Sequence, residues 1–242
     1  MTATVVGQSM YENGLLSKAT GGLLRPGSWK LTEQLLKLCD LPINALVLDV
    51  GCGSGSTVKY LQEAGFVNVV GVDYSKPLLQ TGLHLHLDLP LACSRSDILP
   101  VASNQVDAIL AECSLSAMSN LDEVLVELNR VLRPDGRLAL SDIYTRNPDG
   151  LPALGALPLN CGLRGTTSRD DLISHMLAHG FEILVWEDHS ETLKYFVAQL
   201  ILAHGSMNEF WSQSEPTADP MDIQIAISKA KLGYFLLVAK KV

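Results

Sequence analysis

A glycine-rich loop that follows an apolar run is the clearest candidate ligand site in the chain. Residues 45–50 (ALVLDV) are almost continuously apolar, which is typical of a strand buried on both faces of a parallel sheet. Three glycines and a small cysteine follow, at Gly51, Cys52, Gly53 and Gly55. Because glycines let a ligand approach the backbone closely, and open α/β sheets bind ligands at strand ends, we expect a ligand here.

The acidic residue ahead of this loop limits the ligands that it can hold. Asp49 lies two residues before the first glycine, where its carboxylate disfavours a pyrophosphate and suits a ligand with an ammonium group and a sulfonium. A dinucleotide fingerprint would need a third glycine where Ser56 stands. A P-loop would need a Lys-Ser/Thr pair after the glycines, and none follows.

Two more carboxylates follow the next predicted strands. Asp73 ends the apolar run Val67–Val72, 18 residues after Gly55, close to the spacing of about twenty at which a carboxylate reaches a ribose diol. Asp97 follows the third strand and is trailed by Ile98. This pair would put a carboxylate near an adenine amine and an aliphatic face against the adenine ring.

The elements that must position these residues alternate between strands and helices. The strand at 45–50, a helix from about Thr57 to Ala64 and the strand Val67–Val72 form a βαβ unit. Further elements are predicted near Leu91–Ser96 (strand), Val106–Glu112 (strand), Leu121–Leu132 (helix), Arg133–Gly136 (tight turn) and Leu138–Ile143 (strand). This alternation predicts an α/β fold, a doubly wound parallel sheet with helices on both faces.

The second half of the chain is less regular. Residues 147–165 contain three prolines and four glycines, which predicts a long loop or short insertion. A helix at Ser168–Ala178, capped by Ser168 and Asp171, leads to the strand Phe181–Trp186. A helix over about Glu191–Ala203 and a long connection then precede a last strand at Gly233–Lys240.

Four segments in this order resemble the class I S-adenosylmethionine-dependent methyltransferases of the type 11 group. They are VLDVGCGSG, GVDYS, SDILPVASNQVDAILAE and ELNRVLRPDGRLALSDIY, and together they cover about residues 45–145. The resemblance implies a Rossmann-like sheet of seven strands, the last of them antiparallel, and S-adenosylmethionine as the cofactor. A single displacement would then transfer the methyl group to a small-molecule acceptor.

The resemblance also implies roles for particular residues. The loop from Asp49 to Gly55 would pass the methionine moiety, and Asp73 would bind the ribose. Tyr74 would flank the adenine, which Asp97 and Ile98 would hold. The residues expected to face the methyl end of the cofactor are Glu112 and Cys113.

The catalytic residues and the acceptor are less constrained. Methyl transfer needs mainly in-line placement, so a general base is optional, and the candidates are Glu112, Asp142 and Tyr144. Many relatives have an aromatic residue or histidine after the fourth strand, whereas residues 112–116 here read ECSLS. We expect the acceptor between the N-terminal segment, the tip of the fourth strand and residues 147–165.

Residues 1–40 precede the methyltransferase domain, which we place at 41–242. Glycines at 21, 22 and 27 mark flexibility before a helix from about Leu31 to Cys39. This segment is expected to form a lid over cofactor and substrate, with simple packing as the alternative. Its candidate lid residues are Tyr11, Arg25, Trp29 and Lys30.

Two other functions stay open on the sequence. Residues 160–165 resemble the segment of arsenite methyltransferases that carries a metalloid-binding cysteine, so a metalloid or thiol methyltransferase could use Cys113 and Cys161. The second alternative function is that of a non-catalytic, cofactor-binding regulatory module. No metal is predicted, because His175 and His179 have a compatible spacing but lack the HExxH pattern.

Composition narrows the partners and the compartment. The 242 residues are 47% hydrophobic with a net charge of -8, so a folded core is expected and nucleic acid would be repelled. The chain shows neither a signal peptide nor an apolar run long enough for a membrane span, which predicts a cytoplasmic protein. Five cysteines without CxxC spacing predict reduced thiols. The sequence is compatible with a monomer or a homodimer.

Overall fold

Seven strands form one mixed sheet in the computed structural model, which describes residues 9–242. The first eight residues of the expected lid segment lie outside the described residues. The strands are β1 (Leu46–Val50), β2 (Asn68–Asp73), β3 (Leu91–Cys93), β4 (Val106–Glu112), β5 (Leu132–Thr145), β6 (Phe181–Asp188) and β7 (Leu232–Lys241).

The strand order across the sheet is β3-β2-β1-β4-β5-β7-β6. β1 pairs in parallel with both β2 and β4, so the direction in which strands are added reverses at β1, and ligands of open α/β sheets bind at such a reversal. β7 runs antiparallel to β5 and to β6. The predicted Rossmann-like sheet with an antiparallel last strand is therefore confirmed.

Ten α-helices flank the sheet or pack at its edge within residues 9–242. They are α1 (Leu15–Thr20), α2 (Ser28–Cys39), α3 (Ser56–Glu63), α4 (Lys76–Leu85), α5 (Leu121–Val131), α6 (Leu151–Gly155), α7 (Arg169–Ala178), α8 (Ser190–His204), α9 (Met207–Ser214) and α10 (Pro220–Ala230). The predicted cap of α7 is confirmed, because the Ser168 hydroxyl accepts a hydrogen bond from the Asp171 amide at 3.1 Å. No helix of these residues is both long and apolar enough to cross a bilayer.

The core has two layers, one on each face of the sheet. One layer contains α5 and α7, whose buried residues Leu128 and Met176 pack among inward residues of β4 and β5. The other contains α2 and α3, with Leu35 and Leu61 fully buried. A third cluster joins Leu16, Leu200 and Phe210 from α1, α8 and α9 into an apolar cap beside the sheet.

Three local expectations were incomplete. Helices α1, α9 and α10 were not predicted, because their positions depend on packing in the third cluster rather than on a strong local pattern. Residues 147–165 form short helical turns around α6 instead of a plain loop. The predicted turn at Arg133–Gly136 lies inside β5 and forms a bulge. Asp135 has a φ of 62° there, and the four residues of the turn face a single residue of β4, Asp107.

Candidate active site

The glycine loop between β1 and α3 is held tightly against β2. Gly51 has a φ of 78°, and its amide donates to the Val72 carbonyl at 2.8 Å. A Cβ on Gly51 would lie 2.4 Å from the Ser114 Cβ, so the position cannot accept a side chain without movement. Gly53 has a φ of 55°, and a Cβ there would make only ordinary contacts, at 3.9 Å to Leu78 and 4.0 Å to Leu24; its amide donates to Asp73 Oδ2 at 2.8 Å.

A cavity of about 440 Å³ opens beyond this loop, at the carboxyl ends of β1, β2 and β4. It is lined by most of the residues that the sequence selected for the cofactor, which are Asp49, Gly51, Cys52, Gly53, Asp73, Tyr74, Asp97, Glu112 and Cys113. Two selected residues are absent from its lining. Gly55 instead packs toward Leu91, and the side chain of Ile98 points into solvent with 69% exposure.

Asp73 is buried and organises the loop on both sides. Its Oδ2 accepts the Gly53 amide, and its Oδ1 accepts the Ser75 amide at 2.7 Å. Burial raises the pKa of the Asp73 carboxyl, and the two backbone hydrogen bonds oppose that rise. Each oxygen keeps a lone pair with which it could accept a hydroxyl of a ligand.

Asp49 is a buried carboxylate that lacks a full set of partners. It is 3% exposed, and its Oδ2 has no hydrogen-bond partner among residues 9–242. Burial, helped by the nearby carboxylates of Glu112 and Asp73 and opposed by Arg25, raises the pKa of Asp49 to about 8. A cation in the cavity would supply the missing partner.

Arg25 brings a buried positive charge to the same cavity. Its Nη2 donates to the Thr32 hydroxyl at 2.8 Å and lies 3.1 Å from Glu112 Oε2, whereas its Nε has no partner in the described chain. Glu112 also accepts the hydroxyls of Thr32 at 2.8 Å and Thr57 at 3.2 Å. The cavity thus contains an acidic and a basic group with unused hydrogen-bonding atoms, which suits a ligand that carries both an ammonium and a carboxylate.

The other two catalytic candidates do not line the cavity. Asp142 lies behind the tip of β4, where it accepts the Ser116 amide at 2.9 Å, the Ser116 hydroxyl at 2.7 Å and the Ile143 amide at 2.7 Å. The Tyr144 hydroxyl donates to Asp188 at 2.7 Å, and its ring packs edge-on against Trp186. The sequence placed both near the strand end but could not show the direction of their side chains.

A second cavity, of about 470 Å³, adjoins the first. Its walls are mainly aliphatic and aromatic side chains of α8, α9 and α10, together with residues of the N-terminal segment and Gly162 and Leu163 of the 147–165 segment. Tyr11, Leu24 and Cys113 line both cavities. Cys113 holds a left-handed φ of 55° at the end of β4, a strained conformation for a residue with a side chain.

The two cysteines that a metalloid enzyme would use both reach the second cavity. Burial raises the pKa of the Cys161 thiol to about 12 and raises the pKa of Cys113 well above its ordinary value. Both thiols are therefore protonated near neutral pH. His175 and His179 lie away from both cavities, beside Asp122.

The fold and the site have counterparts among known proteins. Residues 48–140 match the family model described as a methyltransferase domain. The chain is 36% identical over 125 residues to the methyltransferase GfsG of Streptomyces halstedii, an alignment that covers 48% of this chain and 44% of that protein. It is 25% identical over 234 residues to the 27-O-demethylrifamycin SV methyltransferase of Amycolatopsis mediterranei, with 90% and 85% covered.

Among solved structures, the chain is similar to the [4+2]-cyclase SpnF. The TM-score is 0.76 at 25% identity, with 96% of this chain and 93% of that chain covered. By its sheet order and its glycine loop the chain has the fold of the class I S-adenosylmethionine-dependent methyltransferases, and residues 48–140 match their methyltransferase domain. The predicted family is confirmed, and S-adenosylmethionine is the cofactor of this class.

Proposed function

We propose that this protein transfers a methyl group from S-adenosylmethionine to a small, largely apolar acceptor. The observation that carries the proposal is the meeting of two cavities at Tyr11, Leu24 and Cys113. The first is lined by carboxylates and glycine backbone, and the second by aliphatic and aromatic side chains. This arrangement would bring a charged cofactor and an apolar acceptor together at one wall.

The first cavity offers a partner for each part of the cofactor. Asp49 would accept the ammonium and Arg25 Nε would donate to the carboxylate, since both have unused atoms there. Asp73 would bind the ribose hydroxyls, and Asp97 and Tyr74 would contact the adenine. When bound, the cofactor supplies a methyl group activated by a positively charged sulfur.

The protein would accelerate the reaction mainly by positioning the acceptor. Holding the acceptor in line with the activated methyl removes much of the entropy barrier, so a single displacement needs no covalent intermediate. Glu112 would support this as an anchor for Arg25, because its oxygens already accept hydrogen bonds from Thr32 and Thr57. Asp142 would fix the turn at Ser116 from behind.

The N-terminal segment would serve as the lid. The Ser75 hydroxyl donates to Glu12 Oε1 at 2.6 Å on the cofactor side, and the Gly162 amide donates to the Tyr11 hydroxyl at 3.2 Å on the acceptor side. Since Tyr11 lines both cavities, movement of this segment would change the access of both ligands. Closure would exclude water from the reacting atoms.

The test separates cofactor binding from acceptor turnover. Calorimetry with S-adenosylmethionine should show one site per chain, and mass spectrometry should detect S-adenosylhomocysteine when an apolar acceptor panel is added. Val197→Trp, which fills the second cavity, should abolish turnover and leave cofactor affinity unchanged, whereas Leu202→Trp on the exposed side of α8 should change neither. Absence of cofactor binding would contradict the proposal. Consumption of an acceptor while the cofactor stays intact would contradict it too and would favour a cyclisation, the activity named for SpnF.

A further inference from the structure

The second cavity has an unbalanced set of charges. Arg146 and Lys194 line it, and the described residues of its wall include no Asp, Glu or His. Residues 1–8, which read MTATVVGQ, contain none of these residue types either. The wall therefore carries positive charge only, together with an apolar body.

Three buried carboxylates near this cavity lie outside its lining. Asp142 accepts three hydrogen bonds from Ser116 and Ile143, and Glu112 pairs with Arg25 on the cofactor side. Glu215 lies outside the lining, beside the wall residue Cys161; one of its oxygens accepts the Asn160 amide at 2.9 Å, and the other is buried without a partner in the described chain. None of the three side chains lines the second cavity, so none contacts an acceptor bound there.

The two titratable groups at the junction of the cavities are also unsuited to act as a base. Burial raises the pKa of both Tyr11 and Cys113, so each stays protonated near neutral pH. The Tyr11 hydroxyl accepts the Gly162 amide, which leaves its own proton free to donate into the junction. A hydroxyl in that position stabilises an anion and cannot generate one.

The two cations at the wall keep capacity for a ligand. Arg146 donates through Nε to the Lys231 carbonyl at 3.1 Å and through Nη2 to the Leu232 carbonyl at 3.4 Å, neither of which neutralises its charge. Lys194 pairs with Glu191 at 2.5 Å, but both side chains are mostly exposed, and such surface pairs are weak.

We infer that the acceptor is an apolar molecule whose methylated oxygen is already ionised, such as a carboxylate, an enolate or an acidic phenolate, and not an aliphatic alcohol or an amine. The inference rests on the proposed methyl transfer and names the substrate class of that site.

The step balances without a protein base. A lone pair of the acceptor oxygen forms the new oxygen–carbon bond as the carbon–sulfur bond breaks, and the bonding pair remains on sulfur. The anion and the sulfonium become two groups without charge, and no proton moves. An aliphatic alcohol would need a base that the described wall lacks, and an amine would leave a cationic product beside Arg146 and Lys194.

Three probes with one ring system test the charge preference by binding alone. The probes are 2-naphthoate, 2-naphthylmethanol and 2-naphthylmethylamine. Calorimetry measures the binding of each probe twice, once to the protein saturated with S-adenosylhomocysteine and once to the cofactor-free protein. We expect the carboxylate to bind at least about tenfold more tightly than the alcohol or the amine. The inference would be overturned if the alcohol or the amine bound more tightly than the carboxylate, or if the carboxylate did not bind at about 1 mM.

A paired variant assigns the preference to the wall. Arg146→Gln with Lys194→Gln should remove most of the advantage of the carboxylate and leave the alcohol unaffected, because both side chains are exposed and substitutions at exposed positions are usually tolerated. Lys37→Gln, an exposed lysine on α2 away from both cavities, is the matched control. A preference that survives the double substitution overturns the inference. Loss of cofactor binding would instead contradict the proposed function, and the cofactor-free titrations would still report the charge preference.

Discussion

The guanidinium of Arg25 lies 3.1 Å from the carboxylate of Glu112, and the two side chains are only 9% and 2% exposed. Arg25 belongs to the N-terminal segment and Glu112 ends β4, so this ion pair joins the segment to the sheet at the edge of the first cavity. The Thr32 hydroxyl accepts from Arg25 and donates to Glu112, which closes a buried three-residue network.

Arg25→Ala should lower the free energy of unfolding by about 3–5 kcal/mol, because it leaves Glu112 as an uncompensated buried charge. Urea titration measures the change, and Lys30→Ala on the same segment, where the side chain is exposed, should have little effect. Adding Glu112→Gln to Arg25→Ala should recover part of the stability but none of the lost cofactor affinity. A double variant no more stable than Arg25→Ala would contradict this account of the pair.

Asp49→Asn should flatten the pH dependence of stability. The pKa of Asp49 is about 8 in the folded protein against an ordinary value of 3.8, so between these values the folded state binds a proton that the unfolded chain does not. This contribution is fully present below about pH 4 and is lost as the pH rises through 8. Near neutral pH the wild type should lose stability relative to Asp49→Asn by up to about 1.4 kcal/mol per pH unit.

Urea titrations at several pH values from about 5 to about 9 measure that difference in the free energy of unfolding. Asp40→Asn, which makes the same chemical change at the exposed end of α2, is the matched control. The same Asp49→Asn variant should lose cofactor affinity, since the amide cannot pair with an ammonium. Parallel pH profiles for Asp49→Asn and wild type would show that the carboxyl is not the titrating group.

Asp73→Asn should weaken cofactor binding by about 1–3 kcal/mol, because the amide keeps one acceptor oxygen and loses the other. Both oxygens already accept backbone amides, so a moderate fall in thermal stability is expected as well. Calorimetry with S-adenosylhomocysteine measures the affinity, and Asp88→Asn, an exposed residue outside the cavity, provides the comparison. Unchanged affinity would remove Asp73 from the ribose site.

Tyr144→Phe should leave turnover within about twofold of wild type and cost about 1 kcal/mol of stability, the value of its hydrogen bond to Asp188. Asp142→Asn should be more destabilising, since its side chain accepts three hydrogen bonds and an amide nitrogen would face a donor. Urea titration and S-adenosylhomocysteine formation measure both effects. A tenfold or greater fall in turnover for Tyr144→Phe, at full cofactor occupancy, would return Tyr144 to the catalytic candidates.

Residues close in sequence to a strand end could be assigned to the first cavity without the structure. Asp49 lies near the end of one apolar run, Asp73 ends a second and Asp97 follows the predicted third strand, and the carboxyl ends of parallel strands share one edge of the sheet. Tyr144 shows the limit of that reasoning. It lies on β5 near the same edge, yet its side chain turns toward Trp186 and Asp188, which are more than 40 residues away in the chain.

The amino-acid sequence by itself determined the class of fold and the polar lining of the cofactor cavity, because apolar periodicity, glycine spacing and strand-end acids act over a few residues. Only the tertiary structure decided that Arg25 reaches Glu112 and that α8, α9 and α10 close an apolar cavity against Tyr11 and Cys113. Those contacts join segments separated by tens to more than two hundred residues, and their geometry depends on how whole elements pack.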